Sequence, residues 1–289
     1  MFPALRHLSR RVVLCLLLFA GTAAMASQQP SETPLRIGLT PVFLDDQAAF
    51  LNRWRDYLQD ALGRPVSFVQ RSSYREIIDL LHDEKLDVAW LCGYPYVRER
   101  SRMQLLAVPK YRGKPLYRSY LIVPASDTRT RSLADLKGGI FAYSDPNSNS
   151  GYLYTQYSLR RMGQDADTYF RRSFFTWSHR KVVEAVANRL AQGGAVDGYV
   201  WDTLARLHPG LVAKTRIVEE SQTFGFPPFV ARASLDRMSF DAMQRVLTEM
   251  DRTPAGAALL DTLNLDGFVV GEPALFDDIE RMVRAMTGP

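Results

Sequence analysis

A run of small polar residues at 145–152, Asp-Pro-Asn-Ser-Asn-Ser-Gly-Tyr, connects a predicted strand to a predicted helix. Ser148, Asn149 and Ser150 bring side-chain hydrogen-bond donors to this junction. The first turn of a helix also has backbone N–H groups without partners, and the helix dipole favours an anion at that end. The segment therefore predicts an oxyanion site. Helix capping is the alternative interpretation, because Ser and Asn are common N-caps.

A histidine occupies a second strand-to-helix junction. Ser178 is predicted to cap a helix whose apolar face includes Val182 and Val186, and His179 follows the cap directly. A histidine at such a position can donate a hydrogen bond to an oxyanion. A surface histidine beside a helix cap is the alternative interpretation.

The first part of the chain alternates between strands and helices. Apolar residues at helical spacing from Phe50 to Leu62 predict a helix that begins at Asp45, and Ser73 with Glu76 forms a capping box before a second helix. The order β-α-β-α-β predicts helices on both faces of a sheet, so the fold class is α/β. The strands of this part are predicted at 35–39, 65–69 and 86–91.

The alternation continues to a strand at 116–123 that ends at Pro124, and it restarts after that proline. We predict two α/β lobes, the first formed by 35–123 plus 225–289 and the second, inserted, by 124–224. Open α/β sheets bind ligands beyond the carboxyl ends of their strands, so the ligand is expected in the cleft between the lobes. Further strands are predicted at 140–143, 173–176 and 196–201, and C-terminal helices at 239–251, 255–263 and 274–286.

Four segments of the chain resemble the PhnD-like family of periplasmic phosphonate, phosphite and phosphate binding proteins of ABC transporters. The most specific are DPNSNSGYL at 145–153 and SHRKVVEAVANRLAQGGAVDGYV at 178–200, supported by LDVAW at 86–90 and PLYRSYLIV at 115–123. The resemblance extends over nearly all of 35–286. It implies a type II periplasmic-binding-protein fold, with two lobes joined by two hinge strands.

The resemblance also implies which residues hold the anion. The anion would be surrounded by two serines and an asparagine at one helix start, a histidine at another, and two tyrosines from the opposite lobe. All of these are neutral donors, so no metal or other cofactor is expected. The six residues are Tyr74, Tyr117, Ser148, Asn149, Ser150 and His179.

Cys92 departs from the family pattern, in which this strand end often has a small or polar residue. A thiol in the cleft could ligate a soft species such as arsenite. This favours an alternative function, in which an oxyanion-binding protein presents its ligand to a membrane sensor kinase. A buried, inert cysteine is the other interpretation.

Phe226 is a second departure, because members that bind aminoalkyl phosphonates place an acid there. An aminophosphonate is therefore disfavoured, although Asp202 could replace the lost acid, and hinge packing is the alternative role of Phe226. Tyr94 and Trp201 lie at strand ends and are further candidates for lining the cleft.

The N-terminus has the three parts of a secretory signal peptide. Residues 1–11 are basic, 12–20 are apolar, and 24–26 form a small-x-small cleavage site, so residues 1–26 are expected to be removed after Ala26. An uncleaved anchor is the alternative. Removal would leave Cys92 as the single cysteine, outside the cytoplasm and without a disulfide partner.

The composition argues against two other functional classes. The net charge of +5 includes Arg6, Arg10 and Arg11; without them, 36 less 3 basic residues face 31 acidic ones, which leaves about +2 and gives no basic stripe for nucleic acid. An enzyme is not expected, because no nucleophile elbow or zinc-type cluster is present. A periplasmic monomer that delivers a small oxyanion to an ABC permease is the first prediction, and a sensor is the alternative.

Overall fold

The computed structural model describes residues 33–41 and 48–287. The predicted signal peptide 1–26, its cleavage after Ala26 and the predicted helix start at Asp45 lie outside these residues. These described residues belong to one compact unit. Across the two described ranges, no helix has the length and apolarity needed to cross a bilayer.

The described residues form strands and helices in frequent alternation. The strands are β1 (Leu35–Leu39), β2 (Val66–Gln70), β3 (Val88–Trp90), β4 (Met103–Lys110), β5 (Leu116–Tyr117), β6 (Ser119–Pro124), β7 (Ile140–Tyr143), β8 (Arg172–Phe175), β9 (Gly193–Asp197), β10 (Thr215–Glu220), β11 (Phe224–Gly225), β12 (Phe229–Arg232) and β13 (Gly267–Val270). The helices are α1 (Ala48–Leu62), α2 (Tyr74–His82), α3 (Gly93–Glu99), α4 (Tyr154–Arg161), α5 (Ala166–Tyr169), α6 (His179–Ala187), α7 (Gly198–Leu207), α8 (Pro209–Val212), α9 (Arg237–Thr248), α10 (Pro254–Leu263) and α11 (Asp277–Thr287).

The first sheet has six strands in the order β13-β4-β12-β3-β1-β2. β1 is parallel to β2 and β3, while β12 runs antiparallel between β3 and β4. The predicted β-α-β-α-β start is confirmed, including the capping box, in which the Ser73 hydroxyl accepts from the Glu76 N–H and the Glu76 carboxylate accepts from the Ser73 N–H. The indole of Trp54 on α1 is fully buried against Phe229 and Trp90, which fixes α1 to this sheet.

The second sheet has five strands in the order β10-β6-β9-β7-β8. β7 is parallel to β8 and β9, whereas β6 runs antiparallel to β9 and β10. The parallel strands place the chain turns after β7, β8 and β9 at one edge of the sheet. Where the chain passes between the two sheets, β5 pairs with β11 in an antiparallel two-stranded ribbon.

The prediction of one long strand over 116–123 is wrong in detail. The chain leaves the β5 ribbon at Arg118 and enters β6 one residue later, because β5 and β6 pair with different partners. The two sheets take their strands from different stretches of the chain, 35–110 with 229–270 and 119–220. The predicted lobe boundaries remain a prediction.

Candidate functional site

The polar run at 145–152 forms the entry to α4. Residues Asn149–Leu153 make a π-helical turn, and α4 continues from it. The Ser148 hydroxyl oxygen accepts a hydrogen bond from the Gly151 N–H at 3.0 Å, which caps the turn. The predicted helix at 150–162 therefore exists, but it opens with a wider turn than an α-helix.

Gly151 is required at this turn by its close neighbours. A Cβ atom on this residue would lie 1.8 Å from Ser144 Oγ and 3.0 Å from His179 Cε1. Because any side chain would collide with Ser144 and crowd His179, the glycine lets the entry to α4 approach the start of α6. The two strand-to-helix junctions predicted from the sequence therefore lie in contact.

His179 is the first residue of α6, and its ring is almost completely buried. Its Nδ1 atom accepts a hydrogen bond from the Asp197 N–H at 3.0 Å, so the proton of the neutral ring resides on Nε2. Nε2 lies 3.4 Å from Ser148 Oγ. Burial lowers the pKa of His179 to about 3, so the imidazole is a neutral donor at physiological pH.

Tyr117, on the β5 ribbon, and Cys92, which follows β3, reach the entry to α4. The Asn149 side-chain amide donates to the Tyr117 hydroxyl at 3.0 Å, and the Asn149 N–H donates to Cys92 Sγ at 3.2 Å. Burial raises the pKa of the Cys92 thiol to about 11, so it remains protonated. The thiol therefore accepts a hydrogen bond from one of the backbone N–H groups at the helix start, which the sequence analysis assigns to an anion.

Tyr74 is tied to the same segment through its backbone. Its N–H, at the start of α2, donates to Asp145 Oδ2 at 3.0 Å. Burial raises the pKa of both the Tyr74 and Tyr117 hydroxyls well above the ordinary tyrosine value, so each keeps its proton. Asp145 itself is fully buried, and desolvation raises its pKa.

Several buried side-chain oxygens at the two junctions have no hydrogen-bond partner among the described residues. Leaving such a group unpaired costs about 1–3 kcal/mol, so a cluster of them marks a place where a ligand or water belongs. The four atoms are Ser144 Oγ, Asn149 Oδ1, Ser150 Oγ and Ser178 Oγ. Ser178 is at the N-cap position of α6 as predicted, but its side chain makes no capping hydrogen bond.

A closed cavity lies beside these groups, between the ends of the two sheets. Its volume is about 10 Å³, close to what one water molecule needs. Of the predicted residues, Tyr74, Cys92, His179 and Phe226 line it, while Tyr117, Ser148, Asn149 and Ser150 lie in the hydrogen-bonded layer around it. The lining residues are Thr40, Tyr74, Trp90, Leu91, Cys92, His179, Asp197, Tyr199, Phe226 and Pro227.

Three of the candidate cleft residues lie elsewhere. Asp202 accepts hydrogen bonds from the hydroxyls of Tyr111 and Tyr120, and it does not line the cavity that Phe226 lines. The Trp201 indole donates to the Thr215 hydroxyl at the start of β10, and the ring of Tyr94, a residue of α3, lies under Arg98. None of the three lines the closed cavity.

Asp197 is a site residue that the sequence analysis did not single out. It ends β9, lines the cavity, and caps α7 by accepting the Tyr199 N–H at 2.9 Å. Burial raises its pKa to about 8, so the carboxyl is largely protonated at neutral pH. Its position at the carboxyl end of a strand is the signal that could have identified it. Within the described ranges, no cluster of His, Cys, Asp and Glu could hold a metal ion.

The comparison that decides the family spans most of the chain. A family model described as "ABC transporter, phosphonate, periplasmic substrate-binding protein" matches residues 37–276. This chain belongs to that family. The family is periplasmic and binds substrates for transport, so the chain is a substrate-binding protein of an ABC transporter and not an enzyme.

Individual members of the family are distant in sequence. The phosphonates-binding periplasmic protein of Escherichia coli (strain K12) is 26% identical over 248 residues, which cover 82% of this chain and 72% of that protein. The phosphate-import protein PhnD of Mycolicibacterium smegmatis is 29% identical over 158 residues, 51% of this chain and 48% of that protein. The structure of PhnD1 from Prochlorococcus marinus (MIT 9301) in complex with methylphosphonate superposes with a TM-score of 0.78 at 20% identity, covering 87% and 97% of the two chains. The predicted type II periplasmic-binding-protein fold is confirmed.

Proposed function

We propose that this protein captures a small phosphorus oxyanion of the phosphonate, phosphite and phosphate class and delivers it to an ABC permease. Its relatives are named for phosphonate binding and phosphate import, which supports this class of ligand. We further propose that residues 1–26 are removed on export, that the mature protein is a monomer, and that Tyr74, Tyr117, Ser148, Asn149, Ser150 and His179 bind the anion.

The observation that carries the proposal is the cluster of neutral hydrogen-bond donors at the two junctions. Ser148 Oγ accepts from the Gly151 N–H, lies 3.4 Å from His179 Nε2, and interacts with the Tyr74 hydroxyl. The Tyr117 hydroxyl accepts from the Asn149 amide, and it has Cys92 Sγ at 4.0 Å and the Ser150 hydroxyl beside it. Hydroxyl protons rotate, so these groups can turn from one another towards an anion that enters between them. Several neutral donors gathered at one place are what an oxyanion requires.

The cavity has to enlarge before an anion can enter it. A cavity of about 10 Å³ holds one water molecule but not a phosphonate. We propose that the two lobes predicted at 35–123 plus 225–289 and at 124–224 move apart to admit the ligand and close on it, the hinge motion common to such proteins. The bond from the Tyr74 N–H to Asp145 would break on opening and re-form on closure.

Calorimetry with phosphate, phosphite and methylphosphonate tests the site assignment. Ser150→Ala is expected to weaken binding of the preferred anion about tenfold or more, because it removes a charge-assisted hydrogen bond. Ser158→Ala is the matched control, because Ser158 lies on the same helix and its hydroxyl donates to the Tyr154 carbonyl. Equal affinities of the two variants and the wild type would contradict the role of Ser150.

An aminoalkyl phosphonate is the weaker candidate ligand. Phe226 presents a phenyl ring to the cavity, packed against the rings of Tyr117 and Tyr199. Asp197 is the one acid among the described residues that line the cavity, and its carboxyl is held largely neutral. An ammonium group would therefore lack a ready counter-charge at neutral pH.

Cys92 supports a second candidate function, sensing of arsenite. Cys92 lines the cavity and its Sγ accepts the Asn149 N–H, so the residue is at the site and not in the apolar core alone. Arsenous acid would condense with the thiol, forming an As–S bond and releasing one water molecule made from an arsenic hydroxyl and the thiol proton. Delivery to a sensor kinase would then replace delivery to a permease.

Replacing Cys92 by serine separates the two candidates. If the thiol is the ligand, arsenite binding measured by calorimetry is lost in Cys92→Ser. If the protein takes phosphorus oxyanions, their affinity changes little, because a serine hydroxyl can still accept the Asn149 N–H. Arsenite affinity equal in the wild type and in Cys92→Ser would rule out the thiol as its ligand.

A further inference from the structure

A second, larger space adjoins the closed cavity. It has a volume of about 1040 Å³ and opens to solvent, and we call it the basic groove. Ser73 and Ser178 line it, and the residues that follow them, Tyr74 and His179, line the cavity. In two chain segments, therefore, one residue lines the groove and the next residue lines the cavity. The groove is lined by Pro41, Gln70, Arg71, Ser72, Ser73, Glu76, Trp177, Ser178, Arg180, Lys181 and Glu184.

The charges in the basic groove are unequally neutralised. Glu76 is held by the Ser72 and Ser73 hydroxyls, and Glu184 pairs with Arg180 at 3.0 Å. Arg71 donates only to a backbone carbonyl and interacts electrostatically with Glu76, but neither Arg71 nor Lys181 forms an ion pair with any described residue. Two exposed cations outside ion pairs therefore face this space. None of the described residues that line the cavity is Lys or Arg, so the positive charge of the site lies in the groove.

Trp177 forms part of the groove wall in an unusual backbone conformation. Its φ is +64°, a region that large side chains seldom adopt, and its N–H donates to the Ser144 carbonyl at 2.7 Å. The side chain packs beside the Phe175 ring and remains 44% exposed, so part of the indole faces the groove. Strain of this kind concentrates at functional sites. The next residue, Ser178, also lines the groove, and its buried hydroxyl has no partner among the described residues.

We propose that the basic groove binds a negatively charged substituent on a phosphonate whose phosphorus group is held at the closed cavity. Arg71 and Lys181 would attract a carboxylate on that substituent, and the Trp177 indole would cover its methylene chain. The protein would thus prefer phosphonates with a second acidic group over simple alkyl phosphonates. This inference rests on the proposed oxyanion function, and it deepens that function by naming the substrate class.

The test compares ligands that share the phosphonate and differ in the substituent. Calorimetry would measure affinities for methylphosphonate and for phosphonoacetate, 3-phosphonopropionate and 4-phosphonobutyrate. At least one of the carboxylated ligands is expected to bind about tenfold or more tightly than methylphosphonate. In the double variant R71Q/K181Q that advantage is lost, while methylphosphonate affinity stays within about twofold.

The control variant removes the same net charge elsewhere. Arg171 and Lys214 are exposed and line neither the cavity nor the groove, so R171Q/K214Q tests for long-range attraction. An equal loss in both double variants, or an advantage that R71Q/K181Q leaves intact, would overturn the groove as a binding site. Equal affinity for all four ligands would overturn it as well, while leaving the oxyanion function standing. Binding of none of them would overturn the groove, and the oxyanion function falls with it only if phosphate and phosphite also fail to bind.

Trp177 provides an independent measurement. Glycine adopts a φ of +64° without strain, so Trp177→Gly is expected to keep the melting temperature close to that of the wild type. It should nevertheless weaken binding of the carboxylated phosphonate several-fold, with little effect on methylphosphonate. Unchanged affinity for the carboxylated ligand would show that the indole does not contact the substituent.

Discussion

Replacing His179 by asparagine is expected to lower the affinity for the preferred oxyanion by about 10- to 100-fold. The imidazole is neutral and holds its proton on Nε2, because Nδ1 accepts the Asp197 N–H. Asparagine can offer its Oδ1 to that N–H but has no donor in place of Nε2. A hydrogen bond to a charged group contributes about 1.5–3 kcal/mol, and each 1.4 kcal/mol is a factor of ten.

The asparagine variant separates binding from folding, which an alanine variant would not. Alanine would leave a cavity and a buried Asp197 N–H without an acceptor, at a cost of several kcal/mol. His208→Ala is the control, because His208 is exposed at the end of α7. Unchanged anion affinity in a well-folded His179→Asn protein, measured by calorimetry, would remove His179 from the binding site.

Asp197→Asn is expected to abolish a loss of stability that the wild type suffers between pH 6.5 and pH 8. The pKa of Asp197 rises from 3.8 in the unfolded chain to about 8 in the fold, so over this interval unfolding releases a proton. Raising the pH therefore favours the unfolded state. One pKa unit corresponds to 1.36 kcal/mol, so Asp197 should contribute a loss of roughly 2 kcal/mol over this range.

The titration of His179 explains why the loss of stability is expected between pH 6.5 and pH 8 and not at lower pH. Its pKa falls from 6.5 to about 3, so below pH 6.5 the unfolded chain gains a proton that the folded protein excludes, and stability falls as the pH is lowered. The two groups offset each other between about pH 4 and 6.5, whereas above pH 6.5 the effect of Asp197 exceeds the remaining titration of the unfolded histidines, which include His82, whose pKa burial also lowers in the fold.

Urea denaturation at pH 6.5 and pH 8 measures the difference. Asparagine keeps an oxygen that can accept the Tyr199 N–H, so the cap of α7 is preserved. Asp165→Asn is the control, because Asp165 caps α5 at an exposed position. A wild type whose stability does not fall from pH 6.5 to pH 8 would contradict the buried, protonated state of Asp197.

The elements that could be predicted are those whose sequence pattern agrees with their environment. α1 and α2 bury one apolar face each, and both were predicted from helical spacing and a capping box. The polar run at 145–152 and His179 were predicted as neighbours of one ligand, and Gly151 lets these two segments come into contact. Local chemistry was sufficient to find these parts of the site.

Strands defined by long-range pairing were missed. β4 contains Pro109, and β12 is only four residues long after two prolines, so neither has a clear strand pattern. β12 becomes a central strand because β3 and β4 pair with its two edges. β13 likewise exists through its pairing with β4, so the C-terminal part is not purely helical as the sequence indicated.

The same limit applies to the site. Trp201 and Asp202 follow β9 in sequence, as cleft residues should, but α7 begins at Gly198 and turns their side chains towards β6 and β10. Asp197, only four residues before Trp201, is the one that reaches the cavity. Position at a strand end predicts the neighbourhood of a site, whereas the direction of the helix that follows decides which residue faces it.

The central claim is that a phosphorus oxyanion binds where the entries to α4 and α6 meet. A crystal structure of the protein grown with methylphosphonate, phosphate or phosphite tests it most directly. The account predicts phosphonate or phosphate oxygens within hydrogen-bond distance of Ser148 Oγ, Ser150 Oγ and His179 Nε2. An anion bound elsewhere on the protein, or none bound at millimolar concentration, would contradict it.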